Sequence, residues 1–150
     1  MPSPPPERGP RFSDVQVGDK LGGLQQEVTQ ESIDRFATVS LDFNPVHIDP
    51  EWSARARVFG MEETVLHGMA SMSLMTSVVI RAWGALAAIR SIDSKFTKPT
   101  PVGQTLTVSG VVAETHFIAP GRNYVVVDIK VVDGDGDTVG ISRVDVALPN

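Results

Sequence analysis

Between Gly68 and Trp83 the chain is apolar on nearly every side, and directly after Gly84 its hydrophobic period changes from 3.6 to 2. Met69, Met72, Met75, Val78, Val79, Ala82 and Trp83 recur around a helical wheel with few polar interruptions. A helix apolar all round has to be wrapped by other structure, not laid on a surface. The wrapping is supplied by four β-rich runs, 88–97, 105–114, 124–132 and 138–148, separated by Pro-, Gly- and Asp-rich turns. Alternation is clear at Leu106/Val108 and Val127/Ile129/Val131, and it slips phase between Ile141 and Val144, which predicts a bulge or an edge there.

Upstream, 20–28 reads as a further strand weakened by Gly22-Gly23. Thr29 is placed to cap a short helix over 30–40, with Ile33, Phe36 and Ala37 at helical spacing. Asp49 and Pro50 start another helix that runs to about Ala56, and 60–66 reads as an irregular crossing. The expected architecture is therefore α+β: about five mostly antiparallel strands curved around one buried helix.

One domain over 12–150 accounts for the length. Residues 1–11 form a lead-in, with five prolines among the first ten residues and too little apolar surface to order itself. No signal-peptide core precedes the domain, and 69–83 falls short of the ~20 apolar residues of a membrane span. No membrane association is expected. With no cysteine there is no disulfide or thiolate chemistry, which fits a reducing, cytoplasmic setting. A formal charge of −5 and the absence of a basic run argue against nucleic acid as a partner.

The chemistry concentrates in 40–69, which holds two of the three histidines. Asp42 and His47 are proton-transfer groups five residues apart, and Pro45 between them predicts a bent loop, not a helix face. The bland alternative makes Asp42 a turn residue and His47 a satisfied core histidine. Gly68, opening the long helix, exposes backbone N–H groups at the positive end of a dipole. Elsewhere the signals are structural. The run 133–137, Asp-Gly-Asp-Gly-Asp, lacks the glycine and glutamate an EF-hand requires at its sixth and twelfth positions and reads as a hairpin turn. His116 has no acidic or histidine partner nearby in sequence and reads as a surface or packing residue. The helix methionines read as core, with the lining of an apolar ligand tunnel as the alternative.

Ser40-Leu41-Asp42-Phe43-Asn44-Pro45-Val46-His47, followed by Asp49, Ala54 and His67-Gly68-Met69, resembles the signature of MaoC-like dehydratases. This family includes the (R)-specific enoyl-CoA hydratases and has the hot dog fold. The segments 12–19 and 96–103 extend the resemblance, which covers roughly 12–148. It implies that Asp42 and His47 hold and activate a water, that Asn44 orients their loop, and that the Gly68 N–H receives the thioester carbonyl oxygen. Thr76, two turns along the helix, would brace the site through its hydroxyl.

The implied reaction is reversible hydration of a trans-2-enoyl thioester to an (R)-3-hydroxyacyl thioester, with acyl-CoA as substrate and no metal or redox cofactor. An acyl-carrier-protein, branched or dicarboxylic substrate, a hot dog thioesterase and a non-catalytic acyl-binding module are the alternatives. For a carrier protein, Arg55, Arg57, Lys95 and Lys98 are the available cations. The resemblance also implies a homodimer. It departs at Leu41, where the family usually has glycine; a bulkier residue there is expected to re-aim the loop or narrow the pocket.

Overall fold

A computed structural model describes residues 9–150. Most of the proline-rich lead-in lies outside the described residues. Of its remainder, Gly9 sits so close to the Trp83 carbonyl that no side chain would fit there. Phe12–Asp14 form a 3-10 turn, and the Phe12 N–H donates to the Pro149 carbonyl at 2.8 Å.

The elements follow as β1 (Lys20–Glu27), α1 (Gln30–Ser40), α2 (Pro45–Ile48), α3 (Pro50–Ala56), α4 (Gly68–Trp83), β2 (Ala88–Phe96), β3 (Thr105–His116), β4 (Tyr124–Val132) and β5 (Thr138–Ala147). All five strands form one antiparallel sheet in the order β1-β3-β4-β5-β2. It curls around α4, which packs on β1, β3, β4 and β5. This is the hot dog arrangement.

The core lies between the two layers. Met75, Val78 and Val79 of α4 are buried against Val108 and Val112, Val127 and Ile129, and Val144 and Val146. Each such side chain contributes about 1.5–3 kcal/mol through burial, so this seam fixes α4 on the sheet.

Two local expectations change. The helix α4 is not wrapped on all sides: Met69 is exposed and Met72, Leu74 and Ile80 are only half-buried within the single chain. The phase slip in β5 is also not a bulge at 141–144. Gly140, Ser142, Val144 and Val146 all face inward in unbroken register, and Ser142 merely places a polar residue at a core position. The irregularity lies earlier, where Val131 pairs with Gly140 and Val132 with Thr138, and β5 is an interior strand. The Gly22-Gly23 pair does mark a bulge, between Leu21 and Leu24.

The acidic run is a hairpin turn between β4 and β5. Asp133 Oδ1 accepts from the N–H groups of Asp135 and Asp137, both at 3.0 Å, and Gly136 adopts φ 86°. Lys98 Nζ donates to Asp133 Oδ2 at 2.7 Å and to Asp137 Oδ2 at 2.8 Å. Burial alone would raise the Asp133 pKa; Lys98 and the two N–H donors more than offset it and hold it below the usual carboxylate range. His116, read from the sequence as partnerless, pairs with Glu114 at 2.7 Å and stacks on Tyr124. Alternation puts residues i and i+2 of β3 on one face, which sequence proximity in a strand implies.

Candidate active site

The bent loop expected around Pro45 is in fact a one-turn helix. Asn44 caps α2, its Oδ1 accepting from the Val46 N–H at 3.2 Å, and Pro45 takes the first helical position. Proline restricts the residue before it, but is itself preorganised to begin a helix. The Asn44 N–H in turn donates to Asp42 Oδ1 at 3.3 Å, so Asn44 links the carboxylate to the turn that carries His47. Gln30 of α1 reaches the same turn, donating from Nε2 to the His47 carbonyl at 2.9 Å.

His47 Nδ1 lies 2.7 Å from the Val65 carbonyl. A carbonyl only accepts, so Nδ1 carries the hydrogen and Nε2 of the neutral ring keeps its lone pair. That Nε2 faces Asp42 Oδ2 across 3.8 Å. The gap exceeds a direct hydrogen bond, but a water bonded to each group at about 2.8 Å spans it. The His47 side chain is 13% exposed and that of Asp42 52%. Burial pushes the His47 pKa below its ordinary value, against an opposing pull from the Val65 carbonyl, so the neutral ring prevails at pH 7.

Gly68 begins α4 beside them. Its N–H has no intrahelical acceptor, and His67, the N-cap, makes no side-chain capping bond. The helix start thus offers unclaimed donors. A Cβ at Gly68 would lie 3.2 Å from the half-exposed Phe96 ring, so a larger residue there would have to push that ring aside by a few tenths of an ångström. His47, Gly68, Ser71, Phe96, Thr100 and Val139 are among the residues lining a cleft of about 290 Å³.

Thr76 does not join this group. Its hydroxyl donates to the Met72 and Ser73 carbonyls of its own helix, at 3.3 and 3.1 Å, and it does not line the cleft. The α4 hydroxyl that lines the cleft is that of Ser71, one turn from Gly68; its Oγ is buried with no partner among the described residues. Helical spacing of i+3 from Gly68 was the available signal.

Leu41 does not narrow the cleft either. It sits at the end of α1 with φ 60° and ψ 21° and a side chain pointing out, 76% exposed. The backbone there is left-handed, which explains physically why glycine suits the position.

The cations do not gather into one patch. Lys98 is held by Asp133 and Asp137, Arg57 pairs with Glu62, and Lys95 lies on the outer face of the sheet with Asp93, Asp128 and Arg143. No helix of the described residues is long and apolar enough to cross a membrane.

Known proteins resemble this chain in sequence and in fold. The chain is 28% identical over 137 residues to an (R)-specific enoyl-CoA hydratase of Rhodospirillum rubrum, covering 88% of this chain and 92% of that protein. Several other relatives are longer, and the chain spans about half of them or less. The unliganded R-hydratase PhaJ1 of Pseudomonas aeruginosa superposes with a TM-score of 0.82 at 25% identity, over 95% of this chain and 87% of that one. An (R)-hydratase of A. caviae involved in PHA biosynthesis superposes with a TM-score of 0.79 at 25% identity, over 90% and 98% respectively. The family model described as a MaoC-like domain matches residues 14–133. A match across most of its length, around a site with this geometry, identifies the chain as a member of the MaoC-like domain family.

Proposed function

We propose that the protein is a hydro-lyase that adds water reversibly to a trans-2-enoyl-CoA, giving the (R)-3-hydroxyacyl-CoA. The observation that carries this reading is the opposition of Asp42 Oδ2 and the bare Nε2 of His47 across 3.8 Å, at the mouth of α4. Two acceptors at that spacing suit one water, which directs a hydrogen to each and its oxygen lone pair to Cβ. One proton passes to the pair as the oxygen adds to Cβ, and a proton returns to Cα on the same face. Atoms balance: one water is added across one double bond. Negative charge that builds on the thioester oxygen is stabilised by the Gly68 N–H and the α4 dipole; such a donor is typically worth about 3–4 kcal/mol of barrier. The chain's own groups suffice for each step, with no metal or redox cofactor.

A homodimer belongs to the same reading. Met69, next to the cleft residue Gly68, and Phe96, which lines the cleft, expose apolar surface, as does Ile92 farther along the edge strand β2, and an unpaired edge favours cover. The cytoplasmic setting rests on the cysteine-free composition.

The test is loss of enoyl absorbance when the purified protein meets crotonyl-CoA, with chiral analysis of the product. Asp42→Asn and His47→Ala should each lower the rate by about 10²–10⁴-fold while the protein stays folded. Full activity in either variant, or release of free CoA in place of hydration, would overturn the assignment.

A further inference from the structure

The third group of the cluster has no role in the reaction just described. His67 is 2% exposed and sits where the Asp42 loop, the His47 turn and α4 meet. Donor atoms of Asp42, His47 and His67 all lie within 4.8 Å of one another.

Each face of the ring is employed. Its Nε2 lies 3.0 Å from the backbone carbonyl of Asp42, and because a carbonyl only accepts, Nε2 carries the hydrogen. The imidazole stacks on that of His47 with centroids 3.8 Å apart and planes 23° apart. Phe36 of α1 packs against it with centroids 4.9 Å apart. The remaining ring nitrogen, Nδ1, is buried and makes no hydrogen bond among the described residues. A buried imidazole with one nitrogen unsatisfied is costly, so its donor and its ring face have to justify the residue.

Asp42 needs such a tether. It follows the left-handed Leu41; among the described residues its carboxylate accepts a hydrogen bond from the Asn44 N–H alone, at 3.3 Å, and its own N–H donates to Ser40 Oγ at 3.3 Å. His47 is fixed in plane by Val65, but nothing in that bond stops the ring from tilting. One residue restrains both: the His67 N–H pins the Asp42 backbone while its ring supports the face of His47.

Resting on the hydratase reading above, we infer that His67 is a positioning residue, which sets the Asp42–His47 gap by clamping the Asp42 carbonyl and stacking beneath His47. It touches neither substrate nor water in this role. Misplacement of reacting groups by about 1 Å costs on the order of 100-fold in rate, so the expected loss lies in kcat.

The test uses the full-length chain with His67→Phe, which keeps a ring and removes the donor, and His67→Gln, which keeps a donor and removes the ring. His67→Phe should lower kcat by roughly 10- to 100-fold with KM unchanged and a melting temperature near that of the wild type. His67→Gln should recover part of that loss. Wild-type kcat in His67→Phe overturns the inference, as does a change confined to KM or to the melting temperature.

A second readout does not depend on turnover, and its wild-type part does not depend on either variant folding. ¹⁵N NMR of the wild-type histidines should find His67 protonated at Nε2 and exchanging slowly with solvent, and His47 protonated at Nδ1. The opposite tautomer at His67 overturns the inference. Absence of wild-type turnover defeats the hydratase reading alone, and NMR then decides the clamp: in His67→Phe the Asp42 and His47 signals should move, and unmoved signals reject it.

Discussion

The Val65 carbonyl accepts from His47 Nδ1 at 2.7 Å, and this one bond decides which nitrogen of His47 faces Asp42. Val65 is itself fixed by two contacts, its N–H donating to the Val46 carbonyl at 3.1 Å and its bridge to Pro101. The tautomer is therefore set by a backbone acceptor that is itself held by backbone contacts.

A pH dependence follows. The folded-state pKa of His47 lies below its ordinary 6.5, chiefly through burial. The acid limb of kcat/KM should have its midpoint below pH 6.5, where Nε2 gains a proton. Stability moves with the same sign: the unfolded chain binds the proton first, so this group makes the protein less stable as pH falls from 6.5 towards the lowered value. A pH–rate profile with an acid limb above 6.5 would contradict the assignment of His47 as an acceptor.

Leu41 holds a left-handed backbone with its side chain in solvent. Leu41→Gly relieves a conformational cost of about 1–2 kcal/mol and forfeits part of it to the freer unfolded chain. A net gain of about 0.5–1 kcal/mol is expected, read as a melting temperature roughly 1–4 °C higher, with crotonyl-CoA turnover unchanged. Lost turnover would show that Leu41 contacts substrate or a partner subunit.

The buried hydroxyl of Ser71 has no hydrogen-bond partner among the described residues. Ser71→Ala removes an unsatisfied polar atom at little change in volume and should stabilise the fold by about 1 kcal/mol. Urea denaturation measures this directly; a destabilised variant would mean that Oγ is hydrogen-bonded in solution.

Asp133 is held below the usual carboxylate range within the β4–β5 turn, its burial overcome by Lys98 and two backbone donors. Its stabilising contribution is full above the unfolded value of 3.8 and is lost as pH falls from there through the lowered folded value. Asp133→Asn should flatten that acid limb of the stability curve, measured by thermal melts between pH 2 and about 6.

Much of the architecture was legible because it rests on periodicity and turn chemistry. The helix 68–83, four of the five strands and the 133–137 turn follow from spacing and from Asp-Gly pairs, and each is local. The α2 turn was not legible, since Pro45 forbids helix for the residue before it and permits helix from itself onward, and only the Asn44 cap shows which applies.

The site divides the same way. Asp42, Asn44, His47 and Gly68 are visible as residue types at a given spacing; the structure sets His47 and Gly68 in one cleft and joins Asp42 to it through His47 and Asn44. The rest depends on which segments meet. Val65 as the acceptor for His47, Phe96 against Gly68 and His67 beneath His47 come from segments 18 to 28 residues apart or stacked across elements. Thr76 shows the limit: its spacing along α4 was sound, but its hydroxyl turns to its own backbone, as serine and threonine in helices commonly do. The sequence by itself determined the elements, the reacting groups and the helix that presents Gly68. Tertiary structure alone decided the tautomer of His47 and the 3.8 Å gap to Asp42, because a hydrogen bond and a stacking contact depend on atoms placed by distant parts of the chain.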